Sequence, residues 1–130
     1  AGDPDPALRV AADPALLEQA LVNVMENAVA YAPPGAPLRI GARREGEEAV
    51  LSVTDEGMGM PPADLPHVFD SFFRVQRGDR APPGSGLGLA IARGLVAAMG
   101  GRIEAESPRP DAPAGGLPGT VIRIRLPACP

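Results

Sequence analysis

A chain of 130 residues can build one domain around one core but hardly two. Apolar residues make up 45% and charged residues 22%, no uninterrupted apolar run reaches membrane-spanning length, and every basic side chain is Arg; the formal charge of −4 argues against a general nucleic-acid surface. The single cysteine, Cys129, rules out a disulfide framework and argues against a cysteine-based metal site.

Residues 1–7 read as a frayed end and residues 8–12 as a short strand leading into a long helix. Asp13 can cap that helix, and Pro14 opens its first turn, where a missing N–H costs nothing. Leu17, Ala20, Leu21, Val24, Met25 and Ala28 then recur at helical spacing as one apolar stripe. The helix runs to Tyr31, and Ala32-Pro33-Pro34-Gly35 ends it. Alternation predicts a strand over 38–43, and residues 49–54 read as a second strand, apolar enough to be central in a sheet, the two joined by a charged turn over 44–48. Pro61 and Pro62 start a short helical segment around 63–68. Residues 76–85, rich in Arg, Pro and Gly and without periodicity, read as a mobile loop. A second long helix opens at Gly86-Leu87-Gly88, turns Leu89, Ala92, Leu95, Val96 and Met99 inward, and stops at Gly100-Gly101. Residues 102–107 and 120–126 alternate as two more strands around a long Pro/Gly turn. This order predicts an α/β sandwich: a mixed, mostly antiparallel sheet packed on one face by about three α-helices.

Three stretches carry chemistry. Asn23 and Asn27 lie four residues apart, so both amides project from one side of a helix that Asn does little to favour. Asp55 ends an apolar strand and is followed by Gly57 and Gly59. A carboxylate fixed by a strand can accept a hydrogen bond, while the glycines let backbone approach a planar ligand. Gly84-Ser85-Gly86-Leu87-Gly88-Leu89 is a glycine loop opening a helix, which places free N–H groups and a positive dipole end where phosphate can bind. It lacks the GKS/GKT ending of a Walker loop and the early strand–helix setting of a dinucleotide fingerprint. Singly, each stretch has a bland reading: a wetted amphipathic helix, a tight turn, a hinge. Together they point to a mononucleotide, which even an acidic chain can bind through local contacts and a metal ion.

In these residues the chain resembles the ATP-binding catalytic domain of sensor histidine kinases, within the GHKL superfamily that also contains gyrase, Hsp90 and the mismatch-repair ATPases. Asn23-Val24-Met25-Glu26-Asn27-Ala28-Val29-Ala30-Tyr31 looks like the N box and Asp55-Glu56-Gly57-Met58-Gly59 like the first glycine box. Phe69-Asp70-Ser71-Phe72-Phe73-Arg74 resembles the F box, the 84–89 loop the second glycine box, and Gly119-Thr120 the final motif. The resemblance covers nearly the whole chain and implies the Bergerat fold. It also implies that Asn27 coordinates Mg²⁺ on the triphosphate with Asn23 beside it, both counted as catalytic and metal positions. Tyr31 would pack on the nucleotide. Asp55 would accept from the adenine amine near Thr120, with Gly57 and Gly59 alongside. Backbone from Gly84 and Ser85 through Gly86, Leu87, Gly88 and Leu89 would hold phosphates, and Arg74, with Arg77 or Arg80, would approach the γ-phosphate.

One position departs from the family. A basic residue commonly stands three positions after the magnesium Asn, and here that position is Ala30. The hydrolysing relatives carry a Glu where this chain has Asn23, and an amide cannot act as a general base, so phosphoryl transfer is expected with little free hydrolysis. The sole histidine, His67, is read as a surface residue, not as the acceptor. The resemblance places the phosphorylated His on a separate dimerisation domain of the same protein, upstream of residue 13 and outside this chain, with a response regulator beyond it. The domain is expected to be monomeric and cytoplasmic, and the full-length protein to lie in the inner membrane. A serine kinase of the anti-sigma-factor type and a degenerate nucleotide-binding interaction module stay open as alternatives. The closing GGLPGTVIRIRLP pattern looks somewhat like the potassium-responsive sensor group.

Overall fold

The computed structural model describes residues 12–31, 35–70 and 88–128, the side chains of Ala30 and Tyr31 excepted. The first element, α1 (Pro14–Tyr31), begins where the sequence puts its cap. Asp13 Oδ1 accepts from the Ala15 and Leu16 backbone N–H groups at 2.9 and 3.3 Å, satisfying donors that the first turn leaves without helical partners. Ala20, Val24 and Ala28 form the deeply buried line of the stripe, and Leu17, Leu21 and Met25 flank it half-buried.

Strands β1 (Leu38–Glu45) and β2 (Glu48–Asp55) form a hairpin closed by the two residues Gly46 and Glu47, tighter than the five-residue turn expected. The pairing continues outward until Glu45 meets Glu48 because nothing in the charged sequence breaks the ladder. The expected third helix is only a 3₁₀ turn, Leu65–His67. Pro61, Pro62 and Pro66 supply no N–H, so the segment closes by short-range bonds instead: Asp64 N to Pro61 O, His67 N to Asp64 O and Asp70 N to His67 O, each 2.9 Å. Helix α2 (Gly88–Ala98) ends on a Schellman pair, with Gly100 N–H donating to Ala97 O and Gly101 N–H to Val96 O at 3.0 Å. Strands β3 (Arg102–Glu106) and β4 (Thr120–Pro127) complete the sheet.

The described strands lie in the order β1-β2-β4-β3, every pair antiparallel. The expected strand over 8–12 falls almost wholly outside the described residues. In β2, Ala49, Leu51 and Val53 face Leu126, Ile124 and Ile122 of β4, and the last two face Ile103 and Ala105 of β3. This is the sheet face on which α1 and α2 pack, and Met60, Val68, Phe69 and Leu89 close the same core. The period of two sends the alternate residues to the other face. There Arg125 binds Glu104 and lies 3.0 Å from Glu45, Arg123 lies 2.7 Å from Glu106, and Arg102 lies 3.3 Å from Glu48. One face is apolar and covered by the helices; the other carries these ion pairs around the buried Val50 and Val121.

Glu45 is held below its ordinary 4.5, chiefly by its bond from Arg125, and Asp111 below its ordinary 3.8, chiefly by Arg39. Both folded values lie beneath the unfolded ones, so their contribution is complete above those ordinary values and is lost as pH falls through the depressed ones. A thermal midpoint that stays level through neutral pH and drops below about pH 4 is therefore expected, by scanning calorimetry. Two glycines test the packing. A Cβ at Gly101 would strike the Arg125 carbonyl and sit 2.7 Å from Leu126 Cδ2, whereas one at Gly94, in an exposed turn of α2, meets nothing within 4 Å. In urea unfolding, Gly101→Ala should cost about 1–3 kcal/mol, by overpacking. Gly94→Ala should gain about 0.5–1 kcal/mol, by helix propensity.

Candidate functional site

The site begins at the end of β2. Val53 faces the helices, so Asp55, two residues on, turns its carboxylate to the same face, and the register sets it opposite Thr120 of β4. Both are buried, Asp55 at 6% and Thr120 at 2% exposure. The carboxylate is fixed by its own turn: Asp55 Oδ1 accepts from Gly57 N–H at 2.9 Å. Gly57 O in turn accepts from Gly119 N–H at 2.9 Å, tying the two glycine segments together just beyond the last strand pair. A second tie comes from Ser107, whose hydroxyl accepts from Met60 N–H at 2.9 Å and donates to Gly119 O at 2.7 Å.

This closeness explains the glycines. Gly119 has φ +65°, and a Cβ there would strike the Asp55 carbonyl and lie 2.7 Å from Arg109 Nε. Gly59, at φ +74°, would place a Cβ 2.6 Å from Ser107 Oγ and 3.1 Å from Gly119 O. Only a residue without a side chain fits either place.

The second wall is α1. Asn23 and Asn27 are both half-buried, as helical neighbours of the core stripe. Gln19, a further turn back, donates from Nε2 to Asn23 Oδ1 at 2.9 Å, so the polar line is three residues long. Helix α2 starts against this line: the position of a Cβ on Gly88 lies 3.9 Å from the Asn23 carbonyl oxygen. Leu89 is buried in the core and anchors the first turn of α2 there. The structure thus brings Asp55, Gly57, Gly59 and Thr120 into one corner, and the Asn23 backbone beside Gly88 at the start of α2, on the same helical side of the sheet.

Tyr31 is the last residue of α1, but its side chain, and all of Arg74, Arg77, Arg80, Gly84, Ser85, Gly86 and Leu87, lie outside the described residues, as does the loop expected over 76–85. His67 is exposed, with Nδ1 3.2 Å from Asp70 Oδ2, in keeping with a surface residue. Sequence reasoning missed Gln19, Ser107 and Arg109. Gln19 had a readable signal, its four-residue step to Asn23; Ser107 and Arg109 flank a turn whose path no local pattern reveals.

The sequence profile described as "Histidine kinase-, DNA gyrase B-, and HSP90-like ATPase" matches residues 12–130. The chain belongs to this ATPase family. Within it, the chain is 41% identical over 124 residues to the sensor protein KdpD of Escherichia coli (strain K12), covering 95% of this chain and 13% of that protein. The solved structure of the mycobacterial sensor histidine kinase MprB superposes with a TM-score of 0.80 at 37% identity, covering 95% of this chain and 79% of that one. Full-length ShkA, solved in complex with AMPPNP, superposes with a TM-score of 0.75 at 29% identity, covering 96% of this chain and 24% of that one. The chain therefore spans a small part of the full-length proteins it matches. It is an ATP-binding domain of the GHKL fold, homologous to the catalytic domains of sensor histidine kinases.

Ser107→Ala removes both bonds of the cross-tie and leaves Met60 N–H without its partner. The expected loss is about 1–3 kcal/mol in urea unfolding with an unchanged slope. A change within error would show that the two glycine segments hold together without it.

Proposed function

We propose that this domain binds ATP with Mg²⁺ and passes the γ-phosphoryl group to a histidine on a dimerisation domain of the same protein, from which a response regulator is served. The observation that carries the reading is the buried Asp55 carboxylate, held by Gly57 N–H directly opposite Thr120. A carboxylate there accepts from the exocyclic amine of adenine, and at the matching position guanine presents an acceptor, so the corner selects adenine. The Thr120 hydroxyl assists, and the backbone at Gly57 and Gly59 gives room for a flat base.

The residues present fit a magnesium nucleotide. Asn27 offers a neutral, hard oxygen of the kind Mg²⁺ accepts. The Asn23 oxygen is already engaged by Gln19, which leaves its amide nitrogen to donate; we therefore assign the metal contact to Asn27 and a phosphate contact to Asn23. The metal's contribution is charge neutralisation between the β- and γ-phosphates. The first N–H groups of α2, at Gly88 and Leu89, donate to phosphate oxygens with the help of the helix dipole. Tyr31, Arg74, Arg77, Arg80 and the loop from Gly84 to Leu87 are assigned to the nucleotide by the family resemblance alone.

Transfer is favoured over hydrolysis by what stands beside the phosphates. Asn23 has no basicity, and Glu26, the nearby carboxylate on α1, lines an outer groove with Val22, Met25 and Val29 instead of joining the asparagine line. Among the described residues no helix is long and apolar enough to cross a membrane. We place the domain, by family resemblance, at the cytoplasmic end of a protein anchored in the inner membrane.

Calorimetry tests the nucleotide: ATP should bind more tightly than GTP, and Asp55→Ala should cost about 1–3 kcal/mol of ATP binding, the cost of an unpaired buried polar group. Equal affinities for ATP and GTP would reject the corner as an adenine site. Transfer is tested by supplying a histidine-bearing helical dimer or, in parallel, a serine-bearing antagonist protein. Asn27→Ala should abolish labelling of the histidine partner while circular dichroism stays native, because this side chain lies off the apolar stripe. Labelling of the serine partner alone would assign the domain to the serine-kinase class.

A further inference from the structure

The turn that joins β3 to β4 carries a buried cation. Arg109 is only 7% exposed. Its Nη1 donates to Asp111 Oδ1 at 3.1 Å and its Nη2 lies 3.5 Å from Glu56 Oε1, while its buried Nε has no hydrogen-bond partner among the described residues. Asp111 also binds Arg39 Nη2 at 2.8 Å. The row Glu56–Arg109–Asp111–Arg39 thus links the turn after β2, the β3–β4 turn and the edge strand β1.

Its position gives it a job. Arg39 follows the core-packed Leu38 and so belongs to the face of the sheet away from the helices, and Glu56 follows Asp55 in the same way. The row therefore backs onto the site corner from behind. Arg109 N–H donates to Pro118 O at 2.9 Å, and the Cβ position of Gly119 lies 2.7 Å from both Arg109 Cδ and Nε, so the side chain fills the space directly behind Gly119. Gly119 N–H closes on Gly57 O, and Gly57 N–H holds the Asp55 carboxylate. A buried guanidinium with one unsatisfied nitrogen is a poor source of stability; what such a group does well is fix one arrangement among several.

We infer that Arg109 is a positioning residue: it holds the Gly57–Gly119 closure, and through it aims the Asp55 carboxylate. This rests on the reading of Asp55 as the adenine acceptor, and the test separates the two ideas. Amide exchange in the nucleotide-free domain reads the closure directly. In Arg109→Met, and to a lesser degree in Glu56→Gln, Gly119 N–H should exchange about tenfold faster or more, while Ile124 N–H in the core of β4 keeps its rate. The ATP-over-GTP preference should fall by about tenfold, the scale of one misplaced polar contact, with the affinity for magnesium pyrophosphate unchanged. Arg109→Lys, which keeps the charge, should recover part of both. If Arg109→Met does not fold, Glu56→Gln, which alters a partly exposed partner and leaves the arginine in place, carries the same readouts. A wild-type domain without any ATP preference would sink the adenine reading while leaving the exchange test standing. Unchanged Gly119 exchange in the folded variants would overturn the positioning role.

Discussion

Pairing of β2 with β4 is the constraint on which the rest depends. The two strands are far apart in sequence, separated by both α2 and β3, yet their register aligns three successive apolar pairs and then, at the end of the row, sets Asp55 against Thr120. A slip of β2 by one residue would turn Ala49, Leu51 and Val53 out of the core, so the hydrophobic cost of slippage protects the polar pair as well. The site inherits its precision from packing that has nothing to do with ligand chemistry.

The same row explains why a carboxylate can stand buried. Asp55 lies at the last paired position, where the strand opens into a turn whose Gly57 N–H is free to bind it. One residue earlier on that face stands Val53, inside the core, where no donor exists and an ionised carboxylate would be prohibitively costly. The end of this central strand is thus a place where a buried carboxylate finds a backbone donor of its own.

Much of this was legible in the residues. Asp13 and Pro14 announced α1, the spacing of Ala20, Val24 and Ala28 named its buried line, and the apolar patterns of β1 to β4 placed the strands to within two residues. These features depend on neighbours in sequence, which is where patterns can be read. The prolines misled around residue 65: Pro61 and Pro62 suit the first turn of a helix, but Pro66 lacks the N–H that an α-helix would need there. What no pattern could show was which distant residues brace the corner. Ser107 and Arg109 acquire their roles only when the β3–β4 turn folds back over Gly59 and Gly119, a consequence of topology and not of local sequence.

The two faces of the sheet also divide the labour of charge. On the outer face, Arg125 and Arg123, both half-buried, and the exposed Arg102 meet carboxylates that stand at the surface. On the helix face Asp55 stands buried opposite Thr120, its carboxylate taking the Gly57 N–H. Arg109 lies behind the corner, against Gly119, where it braces the backbone. The sequence thus keeps this buried cation one backbone layer away from the group that it steadies.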